Sequence, residues 1–131
     1  MKRELVLIID FGGQYNQLIA RRVRELSVYS EMVPYDITYS EIIDKDPQAI
    51  IITGGPSSVL AKDAAYCDPR ILEMGIPILG ICYGMQYMAA RLGGKVENGV
   101  VREYGRSQLQ VVEDDQLFAG VPREMQVWMS H

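Results

Sequence analysis

Gly80-Ile81-Cys82-Tyr83-Gly84-Met85-Gln86 decides how this chain is read. It follows the apolar run Ile76-Pro77-Ile78-Leu79 and opens a stretch with Met85, Met88, Ala89 and Leu92 at helical spacing. A reactive side chain between two glycines, where a buried strand turns into a helix, is the arrangement of a nucleophile elbow. Cys82 is therefore the candidate nucleophile. Amides at a helix N-terminus stabilise the thiolate, which is the nucleophilic form, and glycines let other backbone approach the sulfur closely. A free cysteine is more often a small buried hydrophobe. The paired glycines and the strand-to-helix junction favour reactivity here.

Upstream of the elbow, short β-branched runs alternate with helical segments, which is the pattern of βαβ units and a parallel sheet. Leu5 to Ile9 reads as the first strand and Asp10-Phe11-Gly12-Gly13 as a turn. Tyr15, Leu18, Ile19, Val23 and Leu26 then give the apolar stripe of a helix. Val28 to Pro34 is the second strand, a short helix is expected within Ser40 to Asp44, and Ala49 to Thr53 is the third strand. That strand ends in Gly54-Gly55-Pro56-Ser57-Ser58, a loop that permits positive φ and close approach to a ligand. A weaker helix is expected over Cys67 to Met74, with Asp68 as its cap, before the strand Ile78 to Ile81. Methionines 85, 88 and 125 read as core filler. Beyond Gly93-Gly94 the alternation around Val96 to Tyr104 and Gln108 to Val112 predicts antiparallel strands, and Met125 to Met129 reads as a last strand.

The expected fold class is thus α/β, an open, mostly parallel sheet with helices on both faces and a few antiparallel strands near the C-terminus. In such sheets ligands bind beyond the carboxyl ends of the strands, and the turn after Asp10, the Gly54 to Ser58 loop and Cys82 all reach that edge. Gly54-Gly55 and the amide after the nucleophile supply backbone N–H groups suited to an oxyanion hole.

With 131 residues, 48% of them hydrophobic, the chain is the size of one domain with a real core. Thirteen basic and seventeen acidic residues leave a net charge of −4, which argues against nucleic acid as a partner. The first apolar stretch is too short for a signal peptide or a membrane span, so a cytoplasmic protein with no membrane contact is expected. Two cysteines and a single histidine, His131, give neither a disulfide framework nor zinc spacing, and no metal is expected.

Gly80-Ile81-Cys82-Tyr83-Gly84-Met85-Gln86 together with Thr53-Gly54-Gly55-Pro56 resembles the class I, or triad, glutamine amidotransferases. The resemblance spans essentially the whole chain and implies a flavodoxin-like domain that hydrolyses glutamine to glutamate and ammonia. Cys82 matches the nucleophile, Gly55 and Tyr83 the oxyanion positions, and Gln86, Ser57 and Ser130 the positions that contact glutamine. Within the class, Asp10 to Tyr15, Gln17 to Glu25, Tyr83 and Val127-Trp128-Met129-Ser130-His131 are most similar to the branch serving ATP-dependent amination of XMP to GMP. That branch implies a partner ATP pyrophosphatase, carried as a further domain or separately, with ATP and Mg2+ bound there and no cofactor in this domain, and a homodimer for the complete enzyme.

The family's histidine and glutamate lie in a later His-Pro-Glu motif, which this sequence does not contain. Residues 1–131 therefore read as a partial amidotransferase domain, without that motif and without the ATP pyrophosphatase and dimerisation domains, and nearly inactive by itself. Pairing Cys82 with His131 carries little weight, because the family uses that strand end for substrate contact. The alternatives are an amidotransferase component of another glutamine-dependent synthase, or a non-catalytic flavodoxin-like module with a structural or redox-sensing cysteine.

Overall fold

The computed structural model describes residues 4–55, 66–96, 104–110, 117 and 119–130. Contacts divide the chain into two compact units, Met1–Glu97 and Asn98–His131. The first is a parallel sheet in the order β2-β1-β3-β4, built from β1 (Leu5–Asp10), β2 (Tyr29–Pro34), β3 (Ala49–Ile52) and β4 (Ile78–Gly80). The connections carry α1 (Asn16–Glu25), α2 (Tyr39–Lys45) and a 3-10 helix (Pro69–Glu73), and α3 (Tyr83–Arg91) follows β4.

Alternation along the strands sends side chains to two cores. Leu7, Ile9, Ile50 and Ile52 face one side, where Ile42, Ile71, Tyr83 and Tyr87 cover them. Ile8 and Ile51 face the other, under Ile19, Ala20 and Val23 of α1. Both faces of β1 and β3 are thus buried, which is why these strands read as unbroken apolar runs rather than alternating ones.

Local chemistry sets several boundaries. Thr38 caps α2, its hydroxyl accepting from the Glu41 amide at 3.2 Å, and Asp46 closes the helix in the left-handed region at φ 50°. Asp68 accepts from the Arg70 amide at 3.0 Å, as expected of the cap, but the segment it starts is a 3-10 turn instead of an α-helix. Pro69 fixes the first position, and five residues suffice to bury Ile71.

The inward face of α1 keeps Ile19 and Val23 of the stripe that apolar spacing predicts but is rotated away from Leu18 and Leu26. Asn16 and Ala20 are buried, with Ile19 and Val23 beside them, whereas Tyr15, Leu18 and Leu26 are exposed. The polar Asn16 takes the inner position because its side-chain amide donates to Asp10 Oδ1. Met85 also departs from expectation, being exposed on α3, while Met88 packs against the core as predicted.

The second unit contains an antiparallel pair, β5 (Tyr104–Gln110) and β6 (Glu124–Ser130), in register from Tyr104 opposite Ser130 to Gln110 opposite Glu124. The antiparallel character agrees with the sequence. The interruption expected between Tyr104 and Gln108 is absent, because β5 runs through it. The parts of the predicted strands that fall on positions 97–103 and 111–112 lie outside the described residues.

Candidate active site

The carboxyl ends of the neighbouring strands β1, β3 and β4 bring three loops together. After β4, Ile81 stays tied to β3 through its amide, which donates to Ile52 O at 2.9 Å. The chain then reverses at Cys82, whose backbone sits at φ 52°, ψ −112°. That conformation is rarely adopted by a residue with a side chain and is strained. Its effect is to place Cys82 at the N-cap of α3, immediately before Tyr83, while leaving it exposed.

Two glycines make the turn possible. A Cβ on Gly84 would lie 2.0 Å from Ile52 O, and one on Gly80 would lie 2.8 Å from the Met85 amide nitrogen. Both are backbone contacts that could not yield, so the elbow needs glycine on each side of the cysteine. Gly84 N–H donates to Thr53 O at 3.1 Å and Ile81 O at 2.9 Å, and Gln86 N–H donates to Cys82 O at 3.1 Å. These bonds lock α3 onto the end of β3.

The glycine loop after β3 packs on the nucleophile. A Cβ on Gly54 would lie 3.1 Å from Cys82 Cβ and 3.8 Å from Sγ. Gly55 rests on Phe11, where a Cβ would come within 2.3 Å of the Phe11 carbonyl oxygen, and Gly13 rests on Gly54 in the same way, at 2.6 Å from its carbonyl. Asp10 Oδ1 accepts from the Gly12 amide at 2.6 Å and from Asn16, pinning the first loop under the second. The convergence expected from the sequence is therefore present.

Phe11 links the two residues expected to supply oxyanion donors. Its carbonyl supports Gly55, and its ring lies 5.1 Å from the Tyr83 ring, with Tyr35 at 5.4 Å and Tyr87 at 6.1 Å. Burial raises the Tyr83 hydroxyl above its ordinary value. The same cause, helped by the hydrogen bond that Tyr87 donates to Cys67 O at 2.7 Å, raises Tyr87 further. Both phenols are thus held neutral, as packing groups. Cys67 is buried, and burial pushes its thiol up, so it is the inert cysteine of the pair.

Gln86 lies one turn beyond Cys82 on the same face of α3 and is half-buried, a position from which its amide can face a ligand above the thiol. Ser57 and His131 lie outside the described residues. Ser130 ends β6 in the second unit, where its backbone alone is described. Sequence reasoning brought the loop after Asp10 to the site but missed the individual contacts of Phe11, Gly13 and Asn16 there. Asp10-Phe11-Gly12-Gly13 signals a turn, but only the fold reveals what that turn supports.

The family model for class-I glutamine amidotransferases matches residues 7–131. The chain belongs to this family. A GMP synthase (glutamine-hydrolysing) of Syntrophomonas wolfei is 64% identical over all 131 residues, and that of Caldanaerobacter subterraneus is 55% identical. In each case the chain spans 26% of the relative's length. Among solved structures, a putative GMP synthase component of Thermoplasma acidophilum superposes with a TM-score of 0.81 at 29% identity, over 98% of this chain and 64% of that one. A glutamine amidotransferase of Thermotoga maritima shares the fold, with a TM-score of 0.70 at 21% identity over 100% of this chain and 61% of that one. As a member of the amidotransferase family the chain carries Cys82 at the elbow and Gly54 against it, and neither alternative weighed from the sequence is favoured.

Proposed function

We propose that Cys82 is the nucleophile of a glutaminase whose ammonia is used, in a longer protein, to aminate XMP to GMP. The observation that carries this reading is the strained Cys82 elbow with Gly54 packed against its thiol. The thiolate attacks the side-chain carbonyl carbon of glutamine, a C–S bond forms, and the carbonyl electron pair moves onto oxygen. Backbone N–H groups of Gly55 and Tyr83 stabilise that oxyanion, while Gln86, Ser57 and Ser130 hold the substrate. Collapse of the intermediate expels the nitrogen, which takes up a proton and leaves as ammonia. Water then attacks the thioester, giving glutamate and restoring the thiol.

The proton transfers call for a general base, and the family supplies it from the His-Pro-Glu motif that these 131 residues lack. Loss of triad members commonly costs about 10⁴ or more in rate, so the chain alone should turn over glutamine very slowly. The ammonia acceptor is an ATP pyrophosphatase domain or its separate equivalent, where ATP with Mg2+ activates XMP, in a homodimeric, cytoplasmic enzyme. Support for that assignment comes from the GMP synthase relatives, which extend well beyond the matched region.

The test is a chimera in which this chain replaces the matching segment of the Syntrophomonas wolfei enzyme. It should release ammonia from glutamine and make GMP from XMP with glutamine as nitrogen donor, and Cys82→Ala should abolish both while leaving amination by added ammonium. Glutamine hydrolysis that survives Cys82→Ala would remove the assignment. Hydrolysis by the 131-residue chain alone at the chimera's rate would refute the need for a further base.

A further inference from the structure

The peptide between Gly54 and Gly55 is gripped on three sides. Gly13 packs on the Gly54 carbonyl, where a Cβ would stand 2.6 Å from the oxygen. The Phe11 carbonyl packs on Gly55, where a Cβ would stand at 2.3 Å. The third contact is the Thr53 hydroxyl, fully buried, whose single proton is shared between Ile9 O at 2.9 Å and Gly54 O at 3.3 Å and whose oxygen accepts from the Phe11 amide at 3.3 Å. A peptide unit is planar and trans, so its C=O and N–H point in opposite directions and turn together. Whatever fixes the Gly54 carbonyl therefore fixes the aim of the Gly55 N–H.

We propose that Thr53 is a positioning residue whose hydroxyl, through Phe11 and the Gly54 carbonyl, sets the aim of the Gly55 oxyanion donor. This rests on the glutaminase reading above. The backbone of Thr53 serves the fold independently, since its amide donates to Ile9 O at 3.2 Å and its carbonyl accepts from Gly84 N. Valine at position 53 would keep those bonds and the volume while removing the hydroxyl. The Phe11 amide would lose its acceptor, and the Phe11 carbonyl that seats Gly55 would no longer be tied to β3. Serine would retain the tie.

The experiment compares two electrophiles on the folded chain. A chloromethyl ketone analogue of glutamine reacts when the thiolate displaces its chloride to give a thioether, with its carbonyl in the place of the substrate's. Iodoacetamide reports the thiol alone. Removing an oxyanion donor outright costs about 10²–10³, so misaiming one in Thr53→Val should lower the ketone rate about ten- to a hundredfold. Iodoacetamide labelling should hold, and Thr53→Ser should recover the ketone rate. An unchanged ketone rate in Thr53→Val, an equal fall with both reagents, or a Thr53→Ser variant as slow as Thr53→Val would overturn the proposal. Gly13→Ala, which presses on the same carbonyl, should show the same selective loss even if Thr53→Val does not fold, and an unchanged ratio there would also overturn it. A wild-type chain whose Cys82 shows no preference for the glutamine-shaped reagent would instead defeat the glutaminase reading on which the proposal stands.

Discussion

Gly54 stands so close to Cys82 that a Cβ there would be 3.1 Å from the cysteine Cβ and 3.8 Å from its sulfur. Gly54→Ala therefore crowds the nucleophile without invading the core. Small displacements of reacting groups cost up to about 10²-fold, so ketone alkylation at Cys82 should fall on the order of tenfold or more. Thermal stability should change little, and an alanine variant alkylated at the wild-type rate would contradict the packing described.

Gly84→Ala tests the other side of the elbow. Its Cβ would meet Ile52 O at 2.0 Å, and β3 cannot retreat without disturbing its ladders to β1 and β4. The loss should reach or exceed the upper end of the ~1–3 kcal/mol typical of overpacking. Urea unfolding measures it, and a loss below half that range would mean that α3 sits looser on β3 than the contact implies.

Strain at Cys82 predicts an inverted order of stability. Alanine normally exceeds glycine by ~0.5–1 kcal/mol, but at φ 52°, ψ −112° only glycine is unstrained. Cys82→Gly should therefore be more stable than Cys82→Ala by about 1 kcal/mol in denaturant titrations. The ordinary order would show that the backbone relaxes once the thiol is gone.

The two cysteines should separate cleanly in labelling. At neutral pH iodoacetamide should modify exposed Cys82 in the folded chain and leave Cys67, which is 1% exposed and whose thiol burial pushes up. Both should react in denaturant. Peptide mapping by mass spectrometry reads the result, and equal rates in the folded chain would refute the assignment of Cys67 as inert.

Stability should decline on the alkaline side. Burial raises Cys67, Tyr83 and Tyr87 above the ordinary 9.0 and 10.0 of thiol and phenol. A proton held more tightly in the folded than in the unfolded state gives stability that is complete below the unfolded value and lost as pH rises through the folded one. The Tm should thus fall as pH climbs above about 9. Tyr87→Phe, although it loses the bond to Cys67 O, should flatten the slope, and an equally steep decline would show that Tyr87 does not contribute.

The strands were legible because burial on both faces writes them as continuous runs such as Ala49-Ile50-Ile51-Ile52, and the elbow because only glycine fits at positions 80 and 84. The inner face of α1 was legible only in part, at Ile19 and Val23, since periodicity counts apolar residues and the position next to the site is occupied by Asn16 for its bond to Asp10. Phe11 escaped for a related reason. Its carbonyl and its ring serve two different neighbours, a pairing that depends on β1 lying beside β3 and on α3 being locked to the end of β3.

The order of synthesis gives the strand arrangement a further meaning. The two strands whose loops form the receiving side, β1 and β3, are complete before Cys82 is made, and β4 adds at the free edge of β3. The Gly54-Gly55 side of the site thus precedes Cys82 in the chain, whereas the second donor, the Tyr83 amide, follows it. Selective reactivity requires the ends of β1, β3 and β4 to be assembled together, so in a refolding experiment the glutamine-shaped ketone doubles as a clock for the docking of those three strand ends.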